Sequence, residues 1–209
     1  MHVRLVIATV SEESTVDDLL SYVEGTAMPS FDGQEGLMTF AAMKVSDSNM
    51  LTWTTWKNKD ARDAADGIMQ QAVSGAKEFL AVPPEVLEGE LVAGQMFMEE
   101  HPIPFYARFV VGAGVKEGKT YEDVAEWLQS SVYTTYQSLD GIIEAAGVKV
   151  DATKGFSYNF WTDETAYEKG KEVVSSVTAE AVENLIESAP TEHVGECSIW
   201  KTYPDFGKL

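Results

Sequence analysis

Apolar positions along this chain fall into two rhythms, and the order in which the rhythms alternate occurs twice. Val16, Leu19, Leu20, Val23 and Ala27 have helical spacing and predict one amphipathic helix. At an offset of 105, Tyr121, Val124, Ala125, Leu128 and Val132 predict a second helix of the same length. A threonine with an aspartate three residues on precedes each stripe, Thr15 with Asp18 and Thr120 with Asp123, the spacing of a capping box. Strand-like runs follow. LMTFAAMKV (37–45) lies over IIEAAGVKV (142–150), and MLTWTTW (50–56) over GFSYNFW (155–161). The turns between them, SDSN and DATK, are polar and of hairpin length.

A second helical stripe, Ala61, Ala64, Ala65, Ile68 and Ala72, corresponds to Ala166, Val173 and Val177. Pro83-Pro84 and Pro190 end these helices. Closing strands EGELVAG (88–94) and GECSIWK (195–201), and opening strands VRLVIAT (3–9) and ARFVVGA (107–113), complete each copy. Over residues 14–66 and 119–171, the identities that align without a gap include Thr15/Thr120, Asp18/Asp123, Gly36/Gly141, Lys44/Lys149, Val45/Val150, Trp56/Trp161 and Ala61/Ala166. The order is β-α-β-β-α-β twice, an α+β fold of two tandem ferredoxin-like repeats. The expected domains are 1–98 and 105–209, joined by a proline-stiffened linker at 99–104.

In such a repeat both helices cover one sheet face and the other needs a cover. On strand 155–161, Phe156, Tyr158 and Phe160 point one way, while Trp161 shares the opposite face with Ser157 and Asn159. Leaving several hundred Å² of apolar surface wet costs on the order of 10 kcal/mol, comparable to a domain's whole stability. The second copy is the natural cover, so the two sheets are expected to pack face to face.

Composition narrows the partners. The 209 residues carry 34 acidic and 15 basic side chains, a net charge of −19. Residues 1–104 hold 17 acids and 6 bases and residues 105–209 hold 17 and 9, so both halves repel phosphate backbones and anionic membranes. No nucleic acid and no membrane partner is expected. The one cysteine, Cys197, cannot form an internal disulfide. The opening MHVRLVIATVSEES reads as a strand rather than a secretory signal. A cytoplasmic protein is the expectation.

The run from a strand ending in tryptophan into an alanine-tyrosine helix start, FWTDETAYEKG, together with the element order, resembles the antibiotic-biosynthesis-monooxygenase-like (ABM-like) group of the dimeric α/β-barrel superfamily. The resemblance covers nearly the whole chain, as two units in tandem. It implies an intramolecular dimeric α/β barrel, either monomeric with an internal pseudo-dimer or homodimeric. It also implies a cofactor-free monooxygenase or related enzyme acting on a small apolar or aromatic molecule. The alternative is a non-catalytic protein that binds a small hydrophobe or serves assembly, its cavities plugged by side chains such as the eight methionines. Haem-degrading members place an asparagine on the first strand and a histidine in the helix after the tryptophan strand. VRLVIAT and ARFVVGA lack the asparagine, and the positions near 64–66 and 169–171 hold no histidine. No cofactor is therefore expected.

The resemblance points to Asn159 and Trp161 as the catalytic pair, Asn159 to stabilise a developing oxyanion. Tyr158, Arg108, Trp56 and Tyr106 are the substrate-binding candidates. Each has a structural alternative: packing mass for the tryptophans, a satisfied buried amide for Asn159, an ion pair for Arg108 and its counterpart Arg4. His2 and His101 read as solvated, and no histidines have metal-ligand spacing. His193 between Glu192 and Glu196 is a lesser acid–base candidate, and Cys197 reads as a buried apolar residue. A cavity of about 300 Å³ or more between helices and sheet would favour a small-molecule function.

Overall fold

A computed structural model describes residues 1–98, 103–112 and 114–204. Residues 99–102 of the expected linker, with His101, lie outside the described residues. The elements are β1 (His2–Thr9), α1 (Val16–Tyr22), α2 (Met28–Ser30), β2 (Leu37–Lys44), β3 (Asn49–Trp56), α3 (Lys59–Ala64), α4 (Asp66–Gly75) and β4 (Glu85–Met96) in the first copy. The second contains β5 (Phe105–Val111), α5 (Tyr121–Trp127), α6 (Tyr133–Tyr136), β6 (Ile142–Lys149), β7 (Gly155–Trp161), α7 (Glu164–Asn184) and β8 (Thr191–Thr202). The strand order, β1-β3-β2-β8-β5-β7-β6-β4, closes on itself as a barrel.

Two compact units divide the chain, residues 1–88 with 197–209 and residues 89–196. The division cuts β4 after Glu88 and β8 after Glu196, so each of these strands belongs partly to each unit. That accounts for their length. Both run twelve residues, longer than the stretches 88–94 and 195–201 that the apolar pattern marks.

In the first unit β3 lies between β1 and β2, with Trp53 opposite Leu5 on one side and Ala41 on the other. Val16, Leu19, Val23, Phe31, Trp56, Ala65 and Met69 form its helix-side core, joined by Ile199 and Tyr203 from the chain's end. In the second unit β7 lies between β5 and β6, with Asn159 opposite Arg108 and Ala145. Tyr121, Leu128, Tyr133, Tyr136, Trp161, Tyr167 and Val174 form the equivalent core.

These identities mark contacts made in both units. Thr15 with Asp18 and Thr120 with Asp123 form reciprocal capping boxes. Gly36 and Gly141 adopt φ of +77° and +80°, and a Cβ on either would lie 2.6 Å from the Cβ of Ala61 or Ala166. Two identities, glycine and alanine, are thus one contact. Lys44 pairs with Asp17 across 3.8 Å, and Lys149 pairs with Glu122 at the equivalent place. Val45 and Val150 close their hairpins by donating to Asn49 O and Lys154 O. A feature the apolar pattern does not show also repeats: the first helix of each unit passes through a π-helical turn, at Val23–Ala27 and Leu128–Val132.

The second helical stripe differs from the expected one. Ala64 is exposed and Ala65 and Met69 are buried; in the other copy Tyr167, Gly170, Val174 and Ala181 are buried and Val173 only half so. The caps set this phase. Asn58 Oδ1 and Asp163 Oδ1 each accept the amide three residues on, at 2.9 Å, which turns the next position inward. Among the described residues no helix is long and apolar enough to cross a membrane.

Candidate functional site

In the second unit a cavity of about 80 Å³ lies between the helices and the sheet. This is well below the 300 Å³ set out above, enough for a compact group and not for a polycyclic ligand without movement. Its floor is β7. Asn159 and Trp161 share one face of that strand, as the alternation requires, and both are buried. Trp161 Nε1–H donates to Asn159 Oδ1 at 2.7 Å. An indole nitrogen can only donate, so this bond fixes which end of the amide is the oxygen. Asn159 lines the cavity, and its amide nitrogen makes no hydrogen bond among the described residues. The indole is itself held: a Cβ on Gly170 would come within 2.6 Å of its Cη2 atom.

Arg108, on β5 beside Asn159, also lines the cavity. Its Nε and Nη2 donate to the two carboxylate oxygens of Glu192 at 3.0 and 2.5 Å, and Nη2 also donates to Thr178 Oγ1 at 2.9 Å. This bidentate pair holds the Glu192 carboxyl below its usual range, burial opposing. Glu192 is therefore spent as Arg108's counter-ion rather than free beside His193.

Three tyrosines border the same space. Tyr121 donates to Phe156 O at 2.8 Å, and burial pushes its phenol up. Tyr136 is pushed up to about 12, by burial first. Tyr133 is buried and its hydroxyl has no hydrogen-bond partner. The expected residues thus divide. Asn159, Arg108 and Tyr158 line the cavity, and Trp161 stands behind Asn159. Tyr106 packs against Tyr167 at 5.3 Å and bonds Glu164 at 3.4 Å, away from the lining, its phenol pushed up to about 12 by burial. Tyr158 stacks on Phe160 at 4.7 Å and donates to Glu144 at 3.1 Å. Burial lifts the Glu144 carboxyl to about 7 against that bond. Sequence patterning passes over Tyr133, Tyr136 and Glu144, because a polar tip on an otherwise apolar stripe reads as core.

The first unit has a cavity of about the same volume. Trp56 repeats the indole bond, donating to Thr54 Oγ1 at 2.9 Å. Arg4 borders this cavity, in salt-bridge range of Glu88 at 3.1 Å, with Nη1 donating to Met69 Sδ at 2.9 Å. His2 is buried rather than solvated, and burial lowers its pKa. Cys197 is fully buried, its thiol donating to Ile199 O. No cluster of three or more metal-ligating side chains occurs among the described residues.

No protein-family profile and no curated protein sequence matches the chain. Solved structures do. An anthrone oxidase-like protein superposes with a TM-score of 0.69 at 14% identity, covering 96% of this chain and 92% of that one. A candidate monooxygenase from Lactobacillus acidophilus NCFM gives 0.70 at 14% identity, with 96% and 95% covered. Another from Fusobacterium nucleatum subsp. nucleatum gives 0.73 at 11%, with 96% and 94% covered. At such identity the likeness speaks to architecture alone, and the full-length coverage joins the closed strand order and the doubled β-α-β-β-α-β. The chain has the dimeric α/β-barrel fold, built from two ferredoxin-like repeats in one polypeptide.

Proposed function

We propose that the second unit is the working half of a cofactor-free, ABM-like oxygenase that takes a small aromatic substrate through its phenol or enolate oxygen. One observation carries the reading: the indole of Trp161 claims the oxygen of Asn159, leaving the amide N–H groups to the cavity. A donor held in place before the substrate arrives stabilises negative charge as it develops on a bound oxygen, without a metal. Tyr133 lines the same space, but its hydroxyl is sealed from it, so Asn159 is the donor on which the reading rests. The reaction class balances as an activated CH₂ plus O₂ giving C=O plus water, and the protein's part is to favour the carbanion that reduces O₂. The neighbours described as monooxygenase and anthrone oxidase-like proteins support this class by likeness of fold.

The test is oxygen uptake with a panel of single-ring phenols and hydroquinones, whose keto tautomers carry the activated CH₂. Asn159→Ala is expected to lower the rate by about 100-fold, as for loss of one oxyanion donor. Asn159→Thr, which copies the first unit and keeps an acceptor for Trp161, guards against misfolding and is expected to be slowed as well. Equal rates in all three proteins would remove Asn159 from the mechanism. Binding without turnover is the second reading, favoured by the lack of any cavity-lining acid or base poised near neutrality among the described residues. Substrate binding with no oxygen uptake in the unaltered protein would establish it.

A further inference from the structure

The two cavities carry an arginine at matching places on their first strands, and the two arginines are not equally satisfied. Arg108 is bound through two nitrogens by a carboxylate of its own. Arg4, with a side chain only 11% exposed, has no such counter-ion. Glu88, its nearest carboxylate, also receives Arg62, with which it makes the shorter contact. Arg62 reaches Asp63 and Asp66 as well, at 3.1 and 3.4 Å, and of these two only Asp66 also acts on Arg4, through space and more weakly than Glu88. The one hydrogen bond that Arg4 makes among the described residues goes to the thioether of Met69, a weak acceptor. A guanidinium has five N–H donors, and the Nε and Nη2 groups of Arg4 are neither bonded nor sealed off.

The space it borders is apolar. Val23, Phe31, Phe40, Met50 and Met69 line the cavity, and among the described residues Arg4 is the one charged side chain in its walls. Taking a cation out of water leaves it seeking an anion, and in a low-dielectric pocket a fork of open N–H groups matches a carboxylate in both charge and shape. We propose that the first unit's cavity is a binding site for a small apolar carboxylate, an aryl or short-chain acid, whose hydrocarbon part fills the pocket and whose carboxylate docks on Arg4. Net charge of the protein opposes anions at long range, so recognition rests on this buried contact and not on steering. The site is separate from the one in the second unit and stands whether or not that half is an oxygenase.

Methionine methyl groups report on it selectively. Met50 and Met69 line this cavity, and no methionine lines the other. The full-length protein labelled at methionine ¹³C-methyl is titrated with phenylacetate, with the uncharged phenylacetamide and with the cationic 2-phenylethylamine. Phenylacetate is expected to shift Met50 and Met69 saturably, and the amide and amine to bind at least about tenfold more weakly, the scale of a charge-assisted pair. In Arg4→Gln the acid and amide are expected to fall within about threefold of each other. Should that variant not fold, the ligand series on the unaltered protein decides. Equal affinity for acid and amide, or saturable binding that leaves both methyls unmoved, would overturn the proposal.

Discussion

The two units share a set of matched scaffold contacts and differ in what they place around their cavities. Capping box, glycine-on-alanine contact, strand-to-helix ion pair, hairpin closure and the indole bond recur at matched positions. Against that constant frame, Thr54 stands where Asn159 does, Met28 where Tyr133 does and Phe31 where Tyr136 does; away from the cavity linings, Thr39 stands where Glu144 does. The first cavity is greasy with one undersatisfied cation; the second is rimmed with phenols and an amide, its cation neutralised. Duplication lets one half keep the fold's demands while the other changes its chemistry. The shared positions are then the structural ones, and the differing positions mark where function is to be sought.

The largest effects should appear in both halves, with Gly141 the more sensitive because a Cβ there would also meet Thr162 Oγ1 at 2.8 Å. Gly36→Ala and Gly141→Ala each force a positive φ on alanine and drive a Cβ to within 2.6 Å of another. The conformational and overpacking costs together come to about 4 kcal/mol. Denaturant unfolding of each variant measures it. A silent substitution in one half would mean that the glycine-alanine contact is not a common requirement and would break the symmetry at its base.

Next comes the position where the halves diverge most in charge. Glu144 has its carboxyl lifted to about 7 by burial, from an ordinary value of 4.5. A raised acid binds its proton more tightly folded than unfolded, so stability is fullest below pH 4.5 and falls as pH rises through 7. A displacement of that size corresponds to about 3 kcal/mol lost by pH 8. Glu144→Gln keeps an acceptor for Tyr158 and is expected to recover most of it at pH 8 while changing little at pH 4. Thermal unfolding across that range reads the difference. A loss of stability at pH 8 in the variant would mean that the ionised carboxylate is held by partners stronger than its desolvation.

The arginines sharpen the contrast further. Arg108→Gln leaves Glu192, a side chain 37% exposed, without its bidentate partner, and should cost about 2 kcal/mol. Arg4→Gln leaves Glu88 still held by Arg62 and should cost under about 1 kcal/mol. The reverse ranking would show Arg4 to be the structural cation and remove the ground for a ligand there. Acid works on the same pair: the depressed Glu192 carboxyl lends stability that is lost as pH falls through its lowered pKa, and Arg108→Gln should lose that acid sensitivity.

How much of this could be read from the chain follows from what each signal depends on. Caps, stripes and hairpins are local, so Thr15, Asp18 and the strand of Trp161 declare themselves within a few residues. Trp161 and Asn159 meet because alternation puts i and i+2 on one face, which is legible too. The exchange of strand ends is not, since the apolar pattern of β4 and β8 is the same whichever sheet they join. Nor is the satisfaction of an arginine: VRLVIAT and ARFVVGA look alike, and only the packing of Glu88 between two cations separates Arg4 from Arg108. The π-helical turns and the orphan hydroxyl of Tyr133 likewise arise from tertiary packing, which periodicity does not carry.

The smallest expected effect returns to the position opposite Glu144 in the repeat. Thr39 is buried on β2, and its hydroxyl has no hydrogen-bond partner among the described residues. A hydroxyl stripped of water without compensation is a standing cost, and valine has nearly the same shape without it. Thr39→Val should therefore stabilise the protein by about 1 kcal/mol or less, raising the denaturant midpoint with an unchanged slope. The matching Glu144→Val should do the opposite at low pH, because it strips the acceptor from the buried Tyr158 hydroxyl. If both substitutions moved stability in the same direction, the two positions would be equivalent after all. The buried acid of the second half would then add nothing to the fold that its counterpart in the first half lacks.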